Sequence, residues 1–359
     1  MRGRNERPCH RRPHAREQRK DHRRRGSGLL PRHHGSSFRE STRRTAWGCP
    51  AYGVGGKLDA VRSTDGGRSW STPVTIADSD RDDRNPALGF NADGHALLAY
   101  HWQGSYDENG EWAPGRGPTD TRVVRSQTEG ESWAEDRKLN WLPVNGASPF
   151  GKIRRDTENT LYMPIYGGPA PSRLDGAVSS GPATCPVHLL RSYDGGETWA
   201  DPLLVAMGLN EADFLILGDD DWLFAGRSGK RGEQAIYTCR SSDRGHSWTD
   251  LTRVTEPSEH PPDLTDLGDG AILLTYGRRH EPYGIEGRIS LDRGHTWESP
   301  LLRFDTNLTG TDIGYSSTAR QDDHLVTVYY IADKTRDPID ESCQAVLYDR
   351  NALMDAARG

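Results

Sequence analysis

The chain repeats one short phrase five times, Ser-x-Asp-x-Gly-x-x-Trp: "STDGGRSW" from Ser63, "SQTEGESW" from Ser126, "SYDGGETW" from Ser192, "SSDRGHSW" from Ser241 and "SLDRGHTW" from Ser290. Only the second copy departs, with Thr128 where the others carry Asp. Successive copies stand 49 to 66 residues apart. Self-similarity at such a period marks a repeated supersecondary unit that buries its apolar face against its neighbours. The phrase also has a mechanical reading. Asp at the start of a turn accepts backbone N–H bonds, and Gly takes the positive φ the turn needs. Ser or Thr leads into a strand, and Trp packs as a large apolar plug. Each copy reads as a β-hairpin corner, so its residues are scaffold rather than ligands.

A second pattern follows each corner. After Trp70 comes "DDRNPALGFNADGHALLAYH", after Trp133 "SPFGKIRRDTENTLYMPIYGG", after Trp199 "NEADFLILGDDDWLFAGR", after Trp248 "PPDLTDLGDGAILLTYGRR", and after Trp297 "GYSSTARQDDHLVTVYY". Each reads as strand, polar turn, strand. The unit is then two strands, a connection, a third strand, the Asp corner and a fourth strand. Four antiparallel strands repeated around an axis define a β-propeller. Five corners plus a sixth unit without one suit a six-bladed propeller over residues 51–359. The expected fold is therefore all-β, with four-stranded antiparallel blades, the first of them expected to be incomplete.

Composition agrees with many short strands: 40 Gly, 22 Pro and only 33% apolar residues. No apolar run approaches the length needed to cross a bilayer. Five cysteines (Cys9, Cys49, Cys185, Cys239, Cys343) form no CxxC pair, hence neither a disulfide framework nor a zinc signature. Charge is uneven. Residues 1–50 hold 14 Arg and 1 Lys against 4 acids, a balance of +11, so with the chain at −6 the remainder carries −17. That segment has no apolar core of a signal peptide, and no aromatics or glycines are patterned among its arginines as nucleic-acid binding would need. We expect it to be a disordered or non-native tail, for instance through a misplaced start, and localisation is left undetermined. No P-loop, dinucleotide fingerprint or metal motif is present, and "EHPPD" at Glu259–Asp263 has a lone His in a loop-like setting. No cofactor, nucleic acid or membrane partner is expected, and the chain is read as a monomer.

Blade geometry separates scaffold from site. First-strand starts and second-strand ends share one face, and the Asp corners fall on the other. The starts offer Asp82, Asp83 and Arg84, then Ser148 and Pro149, Glu211 and Asp213, His260 and Asp263, and Asp312 and Tyr315. The ends offer His101, Tyr166, Arg227, Arg278 or Arg279, and Tyr329 or Tyr330. Several arginines in one mouth imply an anionic ligand, because the guanidinium fork matches a carboxylate in two parallel bonds.

On "NEADFLILGDDDWLFAGR", "GYSS" and the five corners, the chain resembles the sialidase (neuraminidase) superfamily of six-bladed Asp-box, or BNR-repeat, propellers over roughly residues 51–350. The resemblance implies an exo-acting glycoside hydrolase that cleaves terminal sialic acid or a related acidic sugar. It implies Tyr315 as nucleophile, Glu211 as its general base, and Arg227 and Arg279 as a clamp for the substrate carboxylate, with Arg278 competing for the last place. The chemistry suits these types. A neutral tyrosine avoids the repulsion that a carboxylate nucleophile would meet from an anionic sugar, and a neighbouring Glu can take its proton. The resemblance also implies a first arginine in an Arg-Ile-Pro-like segment and an acid/base Asp before the first corner. Neither pattern is found there. Asp59 is the sole acid of "AYGVGGKLDAVRSTDGG" that lies upstream of the corner, and it reads as part of a third strand. Asp83 and Arg84 in "DDRNP" are the candidate substitutes. Two alternatives stand beside this reading: a sialidase-like hydrolase of different sugar specificity, and a non-catalytic carbohydrate-binding propeller.

Overall fold

The structure, a computed structural model, describes residues 56–109, 113, 117–139, 147–167, 178–179, 185–230, 232–298, 300–306, 308–333 and 340–358. The Arg-rich segment at 1–50, with Cys9 and Cys49, lies outside the described residues.

The first described strands, β1 (Leu58–Ala60) and β2 (Val74–Ala77), pair antiparallel on either side of the first Asp corner. Blade I follows as β3 (Asp82–Phe90), β4 (Ala96–Gln103), β5 (Thr119–Ser126) and β6 (Ala134–Lys138). The inner strand of blade II starts as β7 (Ser148–Pro149), is broken by β8 (Gly151–Lys152), which pairs parallel with β3 in the sheet of blade I, and resumes as β9 (Arg154–Arg155). Its sheet continues through β10 (Leu161–Tyr166), β11 (Val178–Ser179), β12 (Pro186–Ser192) and β13 (Ala200–Met207). Blade III is β14 (Leu209–Ile216), β15 (Trp222–Ser228), β16 (Ile236–Ser241) and β17 (Thr252–Arg253). Blade IV is β18 (Glu259–Gly268), β19 (Ala271–Arg278), β20 (Gly284–Ser290) and β21 (Leu302–Thr306). Blade V is β22 (Ile313–Gln321), β23 (His324–Asp333) and β24 (Asp340–Asp349). The propeller is as expected. The described residues give five blades of three to six strands, with the two-stranded β1–β2 sheet where a sixth would stand.

Apolar side chains form a ring of clusters between successive sheets rather than one centre, as a stack of two-faced sheets requires. Leu58 and Ala77 meet Leu98 and Tyr100 of blade I. Leu97 and Ala99 meet Met163 and Leu190 of blade II. Tyr162 and Leu189 meet Phe214 and Trp222 of blade III, which faces Leu264 and Leu274 of blade IV across the next seam. Leu273 and Ile289 meet Leu325 of blade V, where the chain adds one element that the strand pattern did not anticipate. Helix α1 (Arg350–Arg358) seats Leu353, Met354 and Ala357 in that seam.

Each Asp corner closes as its residue types dictate. In the third, Ser192 Oγ accepts from Gly196 N at 2.8 Å, and Asp194 accepts from Thr198 N at 2.9 Å and from the Thr198 hydroxyl at 2.5 Å. In the variant second corner, Thr128 Oγ1 takes over and accepts from Ser132 N at 2.9 Å. The corner glycine also seats each sheet on its predecessor. A Cβ on Gly196 (φ +91°) would stand 2.5 Å from Leu97 Cδ1, and one on Gly67 (φ +85°) would stand 2.9 Å from Val326 Cγ2. The latter contact brings the first corner against β23 of blade V.

Candidate active site

All five corners lie on one face, and the starts of β3, β14, β18 and β22 lie on the other. At that second face the inner strands are irregular. Register shifts fall between Arg84 and Ala87, Leu209 and Ala212, His260 and Asp263, and Gly314 and Ser317. Such bulges re-aim side chains at a strand's mouth. Tyr315 itself has φ +48°, an uncommon left-handed backbone for a bulky residue, which costs on the order of 1–3 kcal/mol and is held by its surroundings.

The result is a bonded trio drawn from blades III and V. The Tyr315 hydroxyl donates to Glu211 Oε1 at 2.5 Å, and Arg227 Nη1 donates to Glu211 Oε2 at 2.6 Å. Arg279 lies with its guanidinium carbon 5.1 Å from the Tyr315 ring centroid. Its neighbour Arg278 turns outward to Glu286 Oε1 at 3.1 Å and to the Glu281 carbonyl. Of the two competing arginines, Arg279 is therefore the one beside the tyrosine. Phe150 and Tyr330 hold the Tyr315 ring from either side, each at 5.5 Å between centroids. Below it the backbone is bare: a Cβ on Gly277 would stand 2.9 Å from Gly314 Cα.

The electrostatics follow from burial. Burial, and then the charge of Glu211, push the Tyr315 phenol well above its ordinary range, while Arg279 and Arg227 pull it back. The tyrosine rests as a phenol, hydrogen-bonded to the Glu211 carboxylate. His260 is pushed down to about 2, first by burial and then by Arg227 and Arg279, so its imidazole is neutral between two cations. Nε of Arg227 and both Nε and Nη2 of Arg279 are enclosed with no hydrogen-bond partner among the described residues. Buried donors of this kind call for an acceptor, and a carboxylate supplies two.

Other residues named from the sequence are distributed as follows. Tyr166 accepts from Asn85 Nδ2 at 3.1 Å and feels the Glu211 charge, which places it beside that carboxylate. Asp213 and Asp263 face the axis instead. Lys152 Nζ reaches Asp263 Oδ1 at 2.5 Å, and Arg154 Nη2 reaches Asp213 Oδ2 at 3.0 Å, so these carboxylates tie inner strands together. Asp312 accepts from the Tyr330 hydroxyl, Tyr329 donates to Asp305 at 2.6 Å, and His101 is buried and pushed down to about 4 by that burial. Asp83 needs a correction. Its carboxylate accepts from Ser79 N at 2.7 Å and Ser79 Oγ at 2.9 Å, on the flank facing β1–β2. Successive side chains of a strand point to opposite faces, so it is Asp82 that shares a side with Arg84, and the two form an ion pair. The Tyr106 hydroxyl also donates to Asp82. Tyr106 was not anticipated, because it stands in the β4–β5 connection rather than at a strand end; the aromatic in "GSYDENG" just past β4 was the available signal.

A cavity of about 580 Å³ runs along the axis and is lined by Arg84, Asn85, Phe150, Pro262, Tyr315 and Tyr330 among others. Among the described residues no group of His, Cys, Asp and Glu could hold a metal ion.

A β-propeller whose blades are closed by Asp corners has the architecture of the sialidase and BNR-repeat superfamily. The chain belongs to the BNR repeat-like domain family, which matches residues 57–328. A comparison with curated protein sequences returns no match. Among solved structures it resembles a Dyadobacter fermentans protein of unknown function, with 23% identity and a TM-score of 0.67 over 85% of this chain and 86% of that one. It also resembles the NanB sialidase of Streptococcus pneumoniae, with 13% identity and a TM-score of 0.62 over 83% of this chain and 64% of that one. A third similar structure is the Hadza microbial sialidase Hz136, with 18% identity and a TM-score of 0.58 over 81% and 59%. The chain thus spans under two thirds of the two sialidases, and at these identities the likeness concerns the fold.

Proposed function

We propose that the chain is an exo-acting glycoside hydrolase of the sialidase type, with a terminal sialic acid or related acidic sugar as substrate. The observation that carries this reading is the Tyr315–Glu211–Arg227 trio, in which one carboxylate accepts from a phenol and from a guanidinium at once. Arg227 and Arg279 receive the substrate carboxylate on their unpartnered N–H groups. Tyr315 Oη attacks the anomeric carbon as the glycosidic C–O bond breaks, and its proton passes to Glu211 Oε1. Arg227 keeps that carboxylate oriented. Water then displaces Tyr315 from the anomeric carbon, and the phenol recovers its proton from Glu211. Two displacements retain the anomeric configuration.

Turnover of an aryl sialoside by the Tyr315→Phe variant is the direct test. Loss of turnover with an unchanged fold supports the reading, and undiminished turnover removes the tyrosine from the mechanism.

A second reading has its own observation. Arg84, on the cavity wall, is paired with Asp82, so the clamp is formed by Arg227 and Arg279. Two arginines suit any carboxylated sugar, so uronic-acid glycosides are the runner-up. A panel of sialic- and uronic-acid glycosides separates the two.

A further inference from the structure

Tyr315 rides on a bulge with a left-handed backbone, φ +48°. Strain of that kind persists only where the surroundings over-determine it. The register of blade V is lost after Gly314 and resumes at Ser317, so the bulge has two feet. The first is held by the close contact of Gly314 with Gly277. The second lies at the axis. β22 pairs with β23 on one side alone, and its other edge faces the inner strands of the ring. Thr318, the residue after Ser317, turns both backbone groups to that edge. Its N–H donates to Asp263 Oδ2 at 2.9 Å, and its carbonyl accepts from Lys152 Nζ at 3.2 Å.

We propose that Lys152 is a positioning residue for Tyr315, acting from across the axis through Thr318. The part played by Tyr315 rests on the hydrolase reading above, whereas the anchoring of β22 does not. Lys152 belongs to β8, whose backbone pairs with β3 of blade I. Its ammonium has three N–H groups to give. Three acceptors surround it: Asp263 Oδ1 at 2.5 Å, the Leu264 carbonyl at 3.3 Å and the Thr318 carbonyl at 3.2 Å. Asp213 Oδ2 stands at 3.7 Å. One side chain from the seam of blades I and II thus meets the inner strands of blades III, IV and V.

Asp263, itself buried, completes the grip. One of its oxygens takes the lysine and the other takes the Thr318 N–H, so a single carboxylate bridges cation and backbone. Thr265 Oγ1 adds a bond to the Thr318 carbonyl at 3.4 Å. Without the lysine, that carbonyl keeps only the Thr265 hydroxyl, and β22 can slide and let the bulge relax. The clamp arginines stand on other strands, Arg227 in β15 and Arg279 just past β19. Loss of the grip therefore displaces the nucleophile and spares the place where the substrate carboxylate is held.

The test separates rate from affinity on the full chain. Lys152→Met keeps the length of the side chain and removes its charge and donors. A displaced reacting group costs up to about 100-fold, so kcat on an aryl sialoside should fall about 10- to 100-fold. The affinity for free sialic acid, by calorimetry, should stay as in the wild type. Lys152→Arg, which keeps charge and donors, should recover most of the lost rate. Amide exchange should quicken in the Ile313–Gln321 strand and not in Pro186–Ser192 of blade II. Thermal melts establish that the variant is folded; where Lys152→Met is not, Lys152→Gln, which keeps one kind of donor and loses the charge, takes its place. An unchanged kcat overturns the assignment, as does a loss of affinity equal to the loss of kcat, the mark of general damage to the fold. Wild-type protein that cleaves no sialoside overturns the hydrolase reading alone. Exchange then decides: quickening confined to β22 supports the anchor, and uniform or absent quickening overturns it.

Discussion

The Tyr315 hydroxyl lies 2.5 Å from Glu211 Oε1, although the two residues are 104 positions apart. They come from blades III and V, with blade IV between them. Only closure of the blades around an axis brings those strand mouths together. If the pair works as nucleophile and base, Glu211→Gln keeps the shape and removes the proton acceptor. We expect kcat on an aryl sialoside to fall about 10²–10⁴-fold with the melting temperature little changed. A variant that retains full kcat would show that the carboxylate serves the fold alone.

Arg279 is the second target. Its Nε and Nη2 have no partner among the described residues, and a hydrogen bond to a charged group contributes about 1.5–3 kcal/mol. Arg279→Leu should weaken binding of free sialic acid about 10- to 100-fold by calorimetry, with no comparable change for a neutral sugar. Arg278→Leu, which loses Glu286 instead, should leave that affinity unchanged.

The Asp corners predict acid sensitivity. Asp65 is held down at about 2 from an ordinary value of 3.8, chiefly by the Ser69 hydroxyl. Asp292 is likewise at about 2, its burial outweighed by Thr296 N–H and the Ser290 and Thr296 hydroxyls. Asp194 and Asp243 are lowered too. A carboxyl lowered in the folded state binds fewer protons than in the unfolded chain. Its stabilisation is therefore present above about pH 4 and fades as pH falls towards 2. Melting temperatures measured from pH 5 to pH 2 should fall steadily, and Asp65→Asn should flatten that fall.

The variant corner offers a gain. Thr128 accepts from Ser132 N with a neutral hydroxyl where the other four corners use a carboxylate. Thr128→Asp should stabilise by about 0.5–1 kcal/mol, whereas Asp194→Ala should cost about 1–2 kcal/mol because it strands donors of the turn. Denaturant midpoints for the two variants check both signs.

Much of the fold was legible because Asp, Gly and Trp at fixed spacing have one mechanical use, and five uses in register imply a ring. The site was legible only in part. Face assignments fail where strands bulge, and four inner strands do so at the mouth. The same parity that makes Asp83 and Arg84 neighbours in "DDRNP" turns them to opposite flanks, which brings Asp82 forward. Arg278 and Arg279 could not be ordered from sequence, since β19 ends between them. Tyr106 escaped because a connecting loop has no period from which to read a direction. Helix α1 escaped because nine residues with only Leu353, Met354 and Ala357 buried give too short an apolar period to stand out.

The bare contact between Gly277 and Gly314 reaches further than its size suggests. Gly314 precedes the tyrosine, and Gly277 stands two positions before Arg279, so the spacing of nucleophile and clamp is transmitted through backbone touching backbone. A methyl group on either glycine would wedge the two strands apart by a few tenths of an ångström. Side-chain chemistry would be intact, yet the pair would be out of alignment. In a ring of stiff blades, a close manufacturing tolerance falls on two residues that have nothing to react with.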